Sequence, residues 1–258
     1  MEGSSDAQFQ LTGLRAVVTG ASSGIGRAIA LELARGGASV GVHANRSLAE
    51  AEGLEHRLRG MGVHTAVLQA DLRDLRACDR LVRQAFEAFG GLDVWVNNAG
   101  ADILTGETAR RSYVEKLQLL LDVDLRATMV LTGEVGRRMR DGRGGCIINM
   151  GWDQADSGME GESGELFGAT KGAIMSFTRS AALSLAPKVR VNCIAPGWIR
   201  TAWGEAASAK WQARVLRETP LGRWGEPEDV ARTARFLASP AAEFITGQVI
   251  GVNGGAVR

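Results

Sequence analysis

The residues whose types and spacing could carry out chemistry are concentrated between Trp152 and Lys171. Lys171 follows Phe167 by four residues, which in a helix places both side chains on the same face. An aromatic residue and a lysine at this spacing resemble the frame of an active-site helix, but a phenylalanine ring has no proton to donate. The sequence therefore predicts that another group supplies the proton if the chain is a catalyst.

The segment before Phe167 is rich in carboxylates. Its acids are Asp153, Asp156, Glu160, Glu162 and Glu165. We interpret Asp156 and Glu160 as parts of a solvated loop. Asp153 directly follows a predicted strand, and a carboxyl group buried there by Trp152 and Phe167 would have a raised pKa suited to a general acid. Because an aspartate after a strand also caps turns, the sequence leaves a catalytic and a structural Asp153 open.

The composition of the chain limits the classes of function. Its 258 residues include 30 Lys and Arg against 29 Asp and Glu, a net charge of +1, which gives no overall field for attracting nucleic acid or an anionic membrane. No segment approaches the roughly 18 consecutive apolar residues of a membrane helix. The three cysteines are scattered and indicate neither a disulfide framework nor a metal cluster. We expect a cytoplasmic protein without a metal site that binds neither nucleic acid nor a membrane.

Short β-branched runs alternate with amphipathic segments along the chain. The predicted strands are 16–19, 39–42, 65–69, 93–96, 145–150, 189–194 and 248–252, and the predicted helices are 25–35, 48–59, 75–89, 112–140, 168–185 and 227–238. This alternation predicts an α/β fold of the Rossmann type, a doubly wound parallel sheet of about seven strands with helices on both faces. We predict a single domain over residues 13–258 after a flexible segment over residues 1–12.

A glycine-rich turn joins the first predicted strand to the first predicted helix. Its residues predicted to bind a cofactor are Gly20, Ser22, Ser23, Gly24, Ile25 and Gly26. The three glycines allow a tight turn and a bare backbone, and the helix that follows offers unpaired N–H groups at its N-terminus. Placed after the first strand of a βαβ unit, this turn predicts a site for the pyrophosphate of a dinucleotide.

The spacing TGxxxGxG of this turn and four further motifs resemble the short-chain dehydrogenase/reductase family over essentially the whole chain. The further motifs are ADL at 70–72, NNAG at 97–100, RVNCIAPGWIRT at 190–201 and FITGQVIGVNGG at 244–255. The resemblance implies that Asp71 and Leu72 flank the adenine and that Asn98, Ala99 and Gly100 lie at the ribose. It also implies that Pro196, Gly197, Ile199 and Thr201 hold the nicotinamide, although Pro196 and Gly197 would also suit an ordinary turn.

The end of the second predicted strand indicates which nicotinamide cofactor is bound. A site for NAD usually has an acid there, which binds the ribose 2′-hydroxyl, whereas this chain has Ala44 and Asn45. Arg46 is suited to a 2′-phosphate and Ser47 can add a hydrogen bond, so NADP(H) is favoured. The alternative is a solvated arginine at the start of a helix. Of the three histidines, only His43 is expected near the ligand, at its adenosine end.

The catalytic residues of the family are largely replaced in this chain. In the family a tyrosine protonates the substrate carbonyl, a lysine four residues later binds the ribose, a serine contacts the substrate oxygen and an asparagine anchors a relay water. The resemblance places these roles on Phe167, Lys171, Trp152 and Asp124, so only the lysine is retained. Asp124 would relay a proton, or simply pair with Lys171 or Arg126. We expect Tyr113, the one tyrosine, to be structural.

Two hypotheses account for this altered set of residues. In the first, the chain is an NADP(H)-dependent oxidoreductase similar to 3-oxoacyl-carrier-protein reductases and pteridine reductases, with a small-molecule substrate that has a carbonyl or conjugated C=N bond. Trp152, Phe167, Trp198 and Trp203 would line its substrate pocket, although Trp198 and Trp203 would equally pack a loop. In the second, the chain binds the nucleotide without turnover, as a regulatory or assembly protein. The resemblance also implies a homotetramer or homodimer.

Overall fold

One parallel sheet of seven strands forms the centre of the protein. The computed structural model describes residues 6–257, and its strands are β1 (Arg15–Val18), β2 (Ser39–Ala44), β3 (Thr65–Gln69), β4 (Val94–Asn97), β5 (Gly145–Met150), β6 (Val189–Pro196) and β7 (Val249–Val252). They lie in the order β3–β2–β1–β4–β5–β6–β7, and every neighbouring pair is parallel. The predicted sheet of the Rossmann type is confirmed.

Helices cover both faces of this sheet. They are α1 (Gly24–Arg35), α2 (Leu48–Gly60), α3 (Leu75–Phe89), α4 (Tyr113–Leu120), α5 (Ala127–Asp141), α6 (Glu162–Leu185), α7 (Ala202–Ala206), α8 (Ala209–Glu218) and α9 (Pro227–Ala238). Successive strand residues point to opposite faces, so α1, α2 and α9 pack with Ala16 and Val18, whereas α3, α5 and α6 pack with Val17. In the described part of the chain, no helix is both long and apolar enough to span a membrane.

Three helical elements differ from the prediction. The helix predicted over 112–140 is divided into α4 and α5 by a π-helical segment, Leu121–Arg126, which apolar periodicity does not reveal because the wider turn adds only one residue. α6 begins at Glu162, six residues before the predicted start. α7 and α8 are additional helices in the connection after β6. The chain between β6 and α9 is therefore more ordered than a loop.

The N-terminal segment is packed more closely than predicted. Residues 1–5 of the flexible segment predicted over 1–12 lie outside the described residues. Asp6–Phe9 form a 3-10 helix, and the side chain of Leu11 is fully buried in the core beside α1 and α9. The Leu11 N–H donates to Gly36 O at 2.7 Å. Leu11 therefore covers apolar surface of the core that water would otherwise reach.

The carboxyl ends of the strands form the edge of the sheet at which the candidate residues gather. The strand order reverses between β1 and β4, and ligands of open α/β sheets bind in the crevice at such a reversal. The segments that follow β1, β2, β3, β4, β5 and β6 contain nearly all of the residues predicted to bind a cofactor or to catalyse. The fold thus brings motifs from distant parts of the chain to one crevice.

Candidate functional site

The turn between β1 and α1 is shaped to bind an anion. It contains Gly20, Ser22, Ser23, Gly24, Ile25 and Gly26. The first helical hydrogen bond comes from Arg27 N–H to Ser23 O, at 3.1 Å, and the Ser23 side chain does not cap the helix. Among residues 6–257, the N–H groups of Gly24, Ile25 and Gly26 have no protein acceptor. Such N–H groups at the positive end of a helix dipole suit a phosphate.

Close contacts fix the shape of this turn. A Cβ at Gly26 would lie 2.3 Å from Gly20 O, and a Cβ at Gly20 would lie 2.8 Å from Ala99 Cα. The side chain of Asn98 donates to Gly20 O at 3.1 Å. Thr19 Oγ1 accepts the N–H groups of Asn98 and Ala99 at 2.9 and 3.0 Å. The segment after β4 therefore braces the glycine turn, and only glycine fits at both close approaches.

The residues predicted around the adenosine lie at the ends of β2 and β3. Arg46 and Ser47 are exposed directly before α2. Asp71 lines a cavity of about 310 Å³. The Arg73 guanidinium, 2.5 Å from Asp71, lowers the pKa of that carboxyl group, and the charge of Arg46 adds to the effect. Leu72 is only 4% exposed and packs in the core, so of this pair Asp71 alone lines the cavity.

The segment after β6 approaches the glycine turn. β6 ends at Pro196, and the Gly197 N–H donates to the carbonyl of the last β7 residue at 3.0 Å. Ile199 is buried in the core on the α1 face. A Cβ at Gly24 would lie 3.7 Å from Thr201 Cγ2. The segment predicted to bind the pyrophosphate and the segment predicted to hold the nicotinamide therefore meet across one crevice.

Lys171 and Asp124 form a buried ion pair. Lys171 Nζ lies 2.8 Å from Asp124 Oδ2, and the two side chains are 13% and 1% exposed. The other Asp124 oxygen accepts the Ala101 N–H at 2.8 Å, and Oδ2 lies 3.0 Å from where a Cβ on Gly100 would be. Asp124 belongs to the π-helical segment, and such segments are frequent at functional sites. Of the two partners that the sequence leaves open, Lys171 is the one that pairs, since Arg126 pairs elsewhere.

Trp152 and Phe167 pack against each other where the resemblance places the serine and tyrosine of the family. Their ring centroids are 6.3 Å apart and their planes are inclined at 64°, an edge-to-face arrangement that aromatic pairs favour. Phe167 also packs against a small buried cluster that includes Ile103 and Leu166. The two rings therefore form an apolar wall that offers no hydroxyl group to a substrate.

Asp153 is a buried carboxyl group without a hydrogen-bond partner. It is 5% exposed, and neither of its oxygens has a partner among the described residues. Burial raises the pKa of this carboxyl group to about 6, and the neighbouring Asn253 side chain and the Gln154 N–H only partly oppose the rise. A proton therefore resides on Asp153 at a pH two units higher than on an ordinary aspartate.

The carboxyl group of Asp153 faces the segment after β6. One oxygen lies 3.1 Å from the position that a Cβ on Gly197 would take, and the same position is 2.6 Å from Asn253 Cβ. The amide of Asn253 is engaged elsewhere, because it donates to the carbonyl of Val257 at 2.9 Å. The sequence predicts burial of Asp153 by Trp152 and Phe167; Gly197 and Asn253 are further neighbours of its carboxyl group.

Trp198 and Trp203 belong to an aromatic cluster with two further tryptophans. Their own rings stack with centroids 6.1 Å apart, and Trp211 of α8 lies 5.3 Å from Trp198 and 5.6 Å from Trp203. Trp224 lies 6.1 Å from Trp203. These four rings, which we call the tryptophan cluster, hold α7 and α8 to the segment after β6. The predicted alternative, in which Trp198 and Trp203 pack a loop, describes these contacts.

An arginine attaches α8 to the segment between β5 and α6. Arg214 pairs with Glu160 and with Glu218, both at 2.7 Å. Its guanidinium also lies 4.8 Å from the Trp211 ring centroid, a cation–π contact. Glu160, predicted to be a solvated loop residue, is exposed but is one end of this link.

Several residues of the site were not singled out by the sequence. Asn253 and Thr19 lie within the motifs that carry the resemblance, and Trp211 and Arg214 lie in the run WQARVLRETPLGR, which is similar to pteridine reductases; these motifs were the available signal. Tyr113 begins α4 and is 42% exposed. Between residues 6 and 257, no three His, Cys, Asp or Glu side chains are grouped so as to hold a metal ion.

The chain is similar to known reductases over nearly its whole length. Residues 20–257 match the family model described as enoyl-(acyl carrier protein) reductase. The 3-oxoacyl-[acyl-carrier-protein] reductase of Synechocystis sp. is 38% identical over 251 residues, which are 96% of this chain and 98% of that protein.

Two solved structures share both fold and sequence with the chain. A short-chain type dehydrogenase/reductase from Mycobacterium marinum is 31% identical, with a TM-score of 0.88 over 96% of this chain and 97% of that one. A short chain dehydrogenase from Burkholderia cenocepacia, solved in complex with NADP, is 32% identical, with a TM-score of 0.87 over 96% of this chain and 99% of that one.

Proposed function

Because the chain belongs to the short-chain dehydrogenase/reductase family, we propose that it is an NADP(H)-dependent oxidoreductase with an atypical active site. Its substrate is a small molecule with a carbonyl or conjugated C=N bond, such as a 3-oxoacyl thioester or a pterin. The nicotinamide, when bound, supplies the hydride to carbon, and the protein supplies a proton to oxygen or nitrogen. The observation that carries this proposal is the buried, unpartnered carboxyl group of Asp153 beside Gly197.

The glycine turn and the end of β2 support NADP(H) as the cofactor. The unpaired N–H groups of Gly24, Ile25 and Gly26 suit its pyrophosphate. Arg46 and Ser47 are exposed where the 2′-phosphate of the adenosine would lie, and the neighbouring Ala44 and Asn45 carry no charge that would repel it. The relative from Burkholderia cenocepacia was solved with NADP.

We expect Arg46→Ala to weaken NADPH binding by about 10- to 100-fold and to leave NADH binding within about threefold, because only NADPH carries the 2′-phosphate that the guanidinium would hold. Titrations of each cofactor, followed by tryptophan fluorescence, measure both constants. Arg57 is an exposed arginine on α2, the helix that follows Ser47; Arg57→Ala is the matched control and is expected to change neither constant. Equal weakening of both cofactors by Arg46→Ala would contradict the role of Arg46.

Five side chains have separate roles at the end of the site where the reaction would take place. Lys171 Nζ would bind the ribose of the cofactor, and the Asp124 carboxylate at 2.8 Å holds the ammonium group in place. Asp153 holds the proton that passes to the substrate, since its carboxyl group remains partly protonated near pH 6. Trp152 and Phe167 exclude water and offer flat apolar surface to a conjugated ring.

We expect turnover to fall as the pH rises through about 6, because the proton on Asp153 is lost over that range. Asp153→Asn is expected to lower kcat by about 10²- to 10⁴-fold and to remove this pH dependence. Oxidation of NADPH, assayed with a panel of ketones, quinones and pterins, provides the measurement. Asp156→Asn, three residues away and exposed, is the control and should leave the profile unchanged.

The contact between Trp152 and Phe167 favours a second candidate function. Because the two rings pack together where the family has its hydroxyl groups, the protein could bind the nucleotide without turnover, as a regulatory or assembly subunit. Tight binding of NADPH, no oxidation with any substrate of the panel and no effect of Asp153→Asn would together favour this function over the first.

Exposed apolar side chains support self-association as a homodimer or homotetramer. Val114 on α4 is 71% exposed and Leu183 on α6 is 83% exposed, and apolar groups so accessible to water are stabilised by a partner surface. Sedimentation velocity at micromolar concentration tests this proposal, which a monomer would contradict.

A further inference from the structure

We propose that His43 is a positioning residue for the pyrophosphate of the cofactor, because its ring holds the first glycine of the phosphate-binding turn in place. His43 lies near the end of β2, and its side chain is 2% exposed. Both hydrogen bonds of its ring join it to backbone groups, those of Gly20 and Ala70. Its action would therefore be through the backbone of the turn.

Two hydrogen bonds determine the state of the His43 ring. The Gly20 N–H donates to Nδ1 at 3.1 Å, and Nε2 lies 3.1 Å from Ala70 O. Since a backbone N–H can only donate and a carbonyl can only accept, Nδ1 must be bare and Nε2 must carry the hydrogen. Burial lowers the pKa of His43 to about 4, so this neutral form persists across the physiological range.

The Gly20 peptide is held from both sides. His43 accepts its N–H, and the Asn98 side chain donates to its carbonyl at 3.1 Å. The next N–H in the chain, that of Ala21, donates to the backbone carbonyl of His43 at 2.9 Å. Gly20 also has a φ of 62°. Glycine adopts this left-handed conformation without steric cost and is free to leave it, so the hydrogen bonds are what hold the peptide in place.

A shift of Gly20 would displace the first turn of α1, which is the end of the helix predicted to bind an anion. Gly20 O lies only 2.3 Å from where a Cβ on Gly26 would be, so the first turn of the helix rests on the Gly20 peptide. The N–H groups that would meet the pyrophosphate belong to Gly24, Ile25 and Gly26. The hydrogen bond from Gly20 to His43 therefore sets the direction of these donors, although His43 itself does not contact the ligand.

The second hydrogen bond of His43 separates this role from ordinary core packing. Ala70 and Asp71 both line the cavity of about 310 Å³ at the ends of β2 and β3. The bond to Ala70 O stabilises the segment directly after β3. A purely structural histidine would affect folding through both bonds alike. A positioning histidine affects pyrophosphate binding through the Gly20 bond alone.

Two substitutions separate the two hydrogen bonds. In His43→Asn the side-chain oxygen can take the place of Nδ1 and accept the Gly20 N–H, while Ala70 O loses its donor. In His43→Gln the longer side chain can bring an amide N–H to Ala70 O, while the acceptor for Gly20 is lost. His43→Met, which lacks the acceptor and has a similar length, serves if His43→Gln does not fold.

The measurements are the dissociation constants of NADPH and of adenosine 2′-monophosphate, which has no pyrophosphate, together with the melting temperature without ligand. We expect His43→Gln to weaken NADPH about 10-fold and adenosine 2′-monophosphate less than threefold. We expect His43→Asn to bind NADPH within about threefold of the parent protein, even with a lower melting temperature.

The proposal is overturned if His43→Gln, or His43→Met in its place, binds NADPH as the parent does. It is also overturned if that variant weakens both ligands equally, or if His43→Asn binds NADPH as weakly as His43→Gln does. These outcomes concern binding alone, so they can be read whether or not the protein turns over a substrate.

Discussion

The double substitution of Trp152 by Ser and Phe167 by Tyr is expected to raise the reduction of a simple ketone by at least about 100-fold. The pair restores a hydroxyl group four residues before Lys171 and a second one at the end of β5. A positioned general acid contributes about 10²–10⁴ in rate and an oxyanion donor about 10²–10³. NADPH oxidation with an unactivated cyclic ketone measures the gain.

The single substitutions serve as controls for this gain of activity. Phe167→Tyr alone is expected to give a smaller increase, because the Trp152 ring packs against that position with centroids 6.3 Å apart. Trp152→Ser alone removes one ring of the apolar wall, but position 167 still lacks the tyrosine hydroxyl that donates the proton in the family. If the double variant binds NADPH normally and reduces no ketone, the apolar wall is not what limits the range of substrates.

Lys171→Met is expected to lower the free energy of unfolding by about 3–5 kcal/mol and to abolish turnover. The substitution leaves the Asp124 carboxylate, 1% exposed, with the Ala101 N–H as its remaining donor at 2.8 Å. Removal of one member of a buried ion pair strands the charge of the other, which is the main source of the loss. Urea denaturation without ligand measures the change.

Asp124→Asn in the Lys171→Met background tests the cause of that loss. An uncharged amide needs no counter-ion, so the double variant is expected to regain most of the unfolding free energy while turnover stays absent. A loss of less than about 1 kcal/mol in Lys171→Met would instead indicate that water reaches the Asp124 carboxylate and screens it.

The sheet and the glycine turn could be predicted because their determinants are local. Runs of β-branched residues predict each strand within two residues at either end, as for β3 and β5, whose predicted bounds are those observed. The glycines of the turn at Gly20 and Gly26 are required by backbone approaches of less than 3 Å, and such approaches leave glycine as the only residue type that fits.

The active end was harder to predict because its determinants are contacts between distant segments. The sequence named Asp153 as a candidate acid, but two residues beside its carboxyl group, Gly197 and Asn253, lie 44 and 100 positions later in the numbering. It left two partners open for Asp124, because the contact with Lys171 joins two separate helical segments and cannot be read from spacing along the chain. α8 was missed although it is amphipathic, because it is short; the contacts of its Trp211 with Trp198 and Trp203 are tertiary and are not visible in the sequence.

The tryptophan cluster also makes the intrinsic fluorescence and circular dichroism of the protein sensitive to the positions of α7 and α8. Indole rings with centroids 5.3–6.1 Å apart share their excited states, so their near-ultraviolet circular dichroism and emission depend on the distances between them. Any displacement of α7 and α8 when a ligand enters the crevice would separate Trp211 from Trp198 and change both signals. Stopped-flow fluorescence of the unlabelled chain would therefore measure the rate of such a displacement.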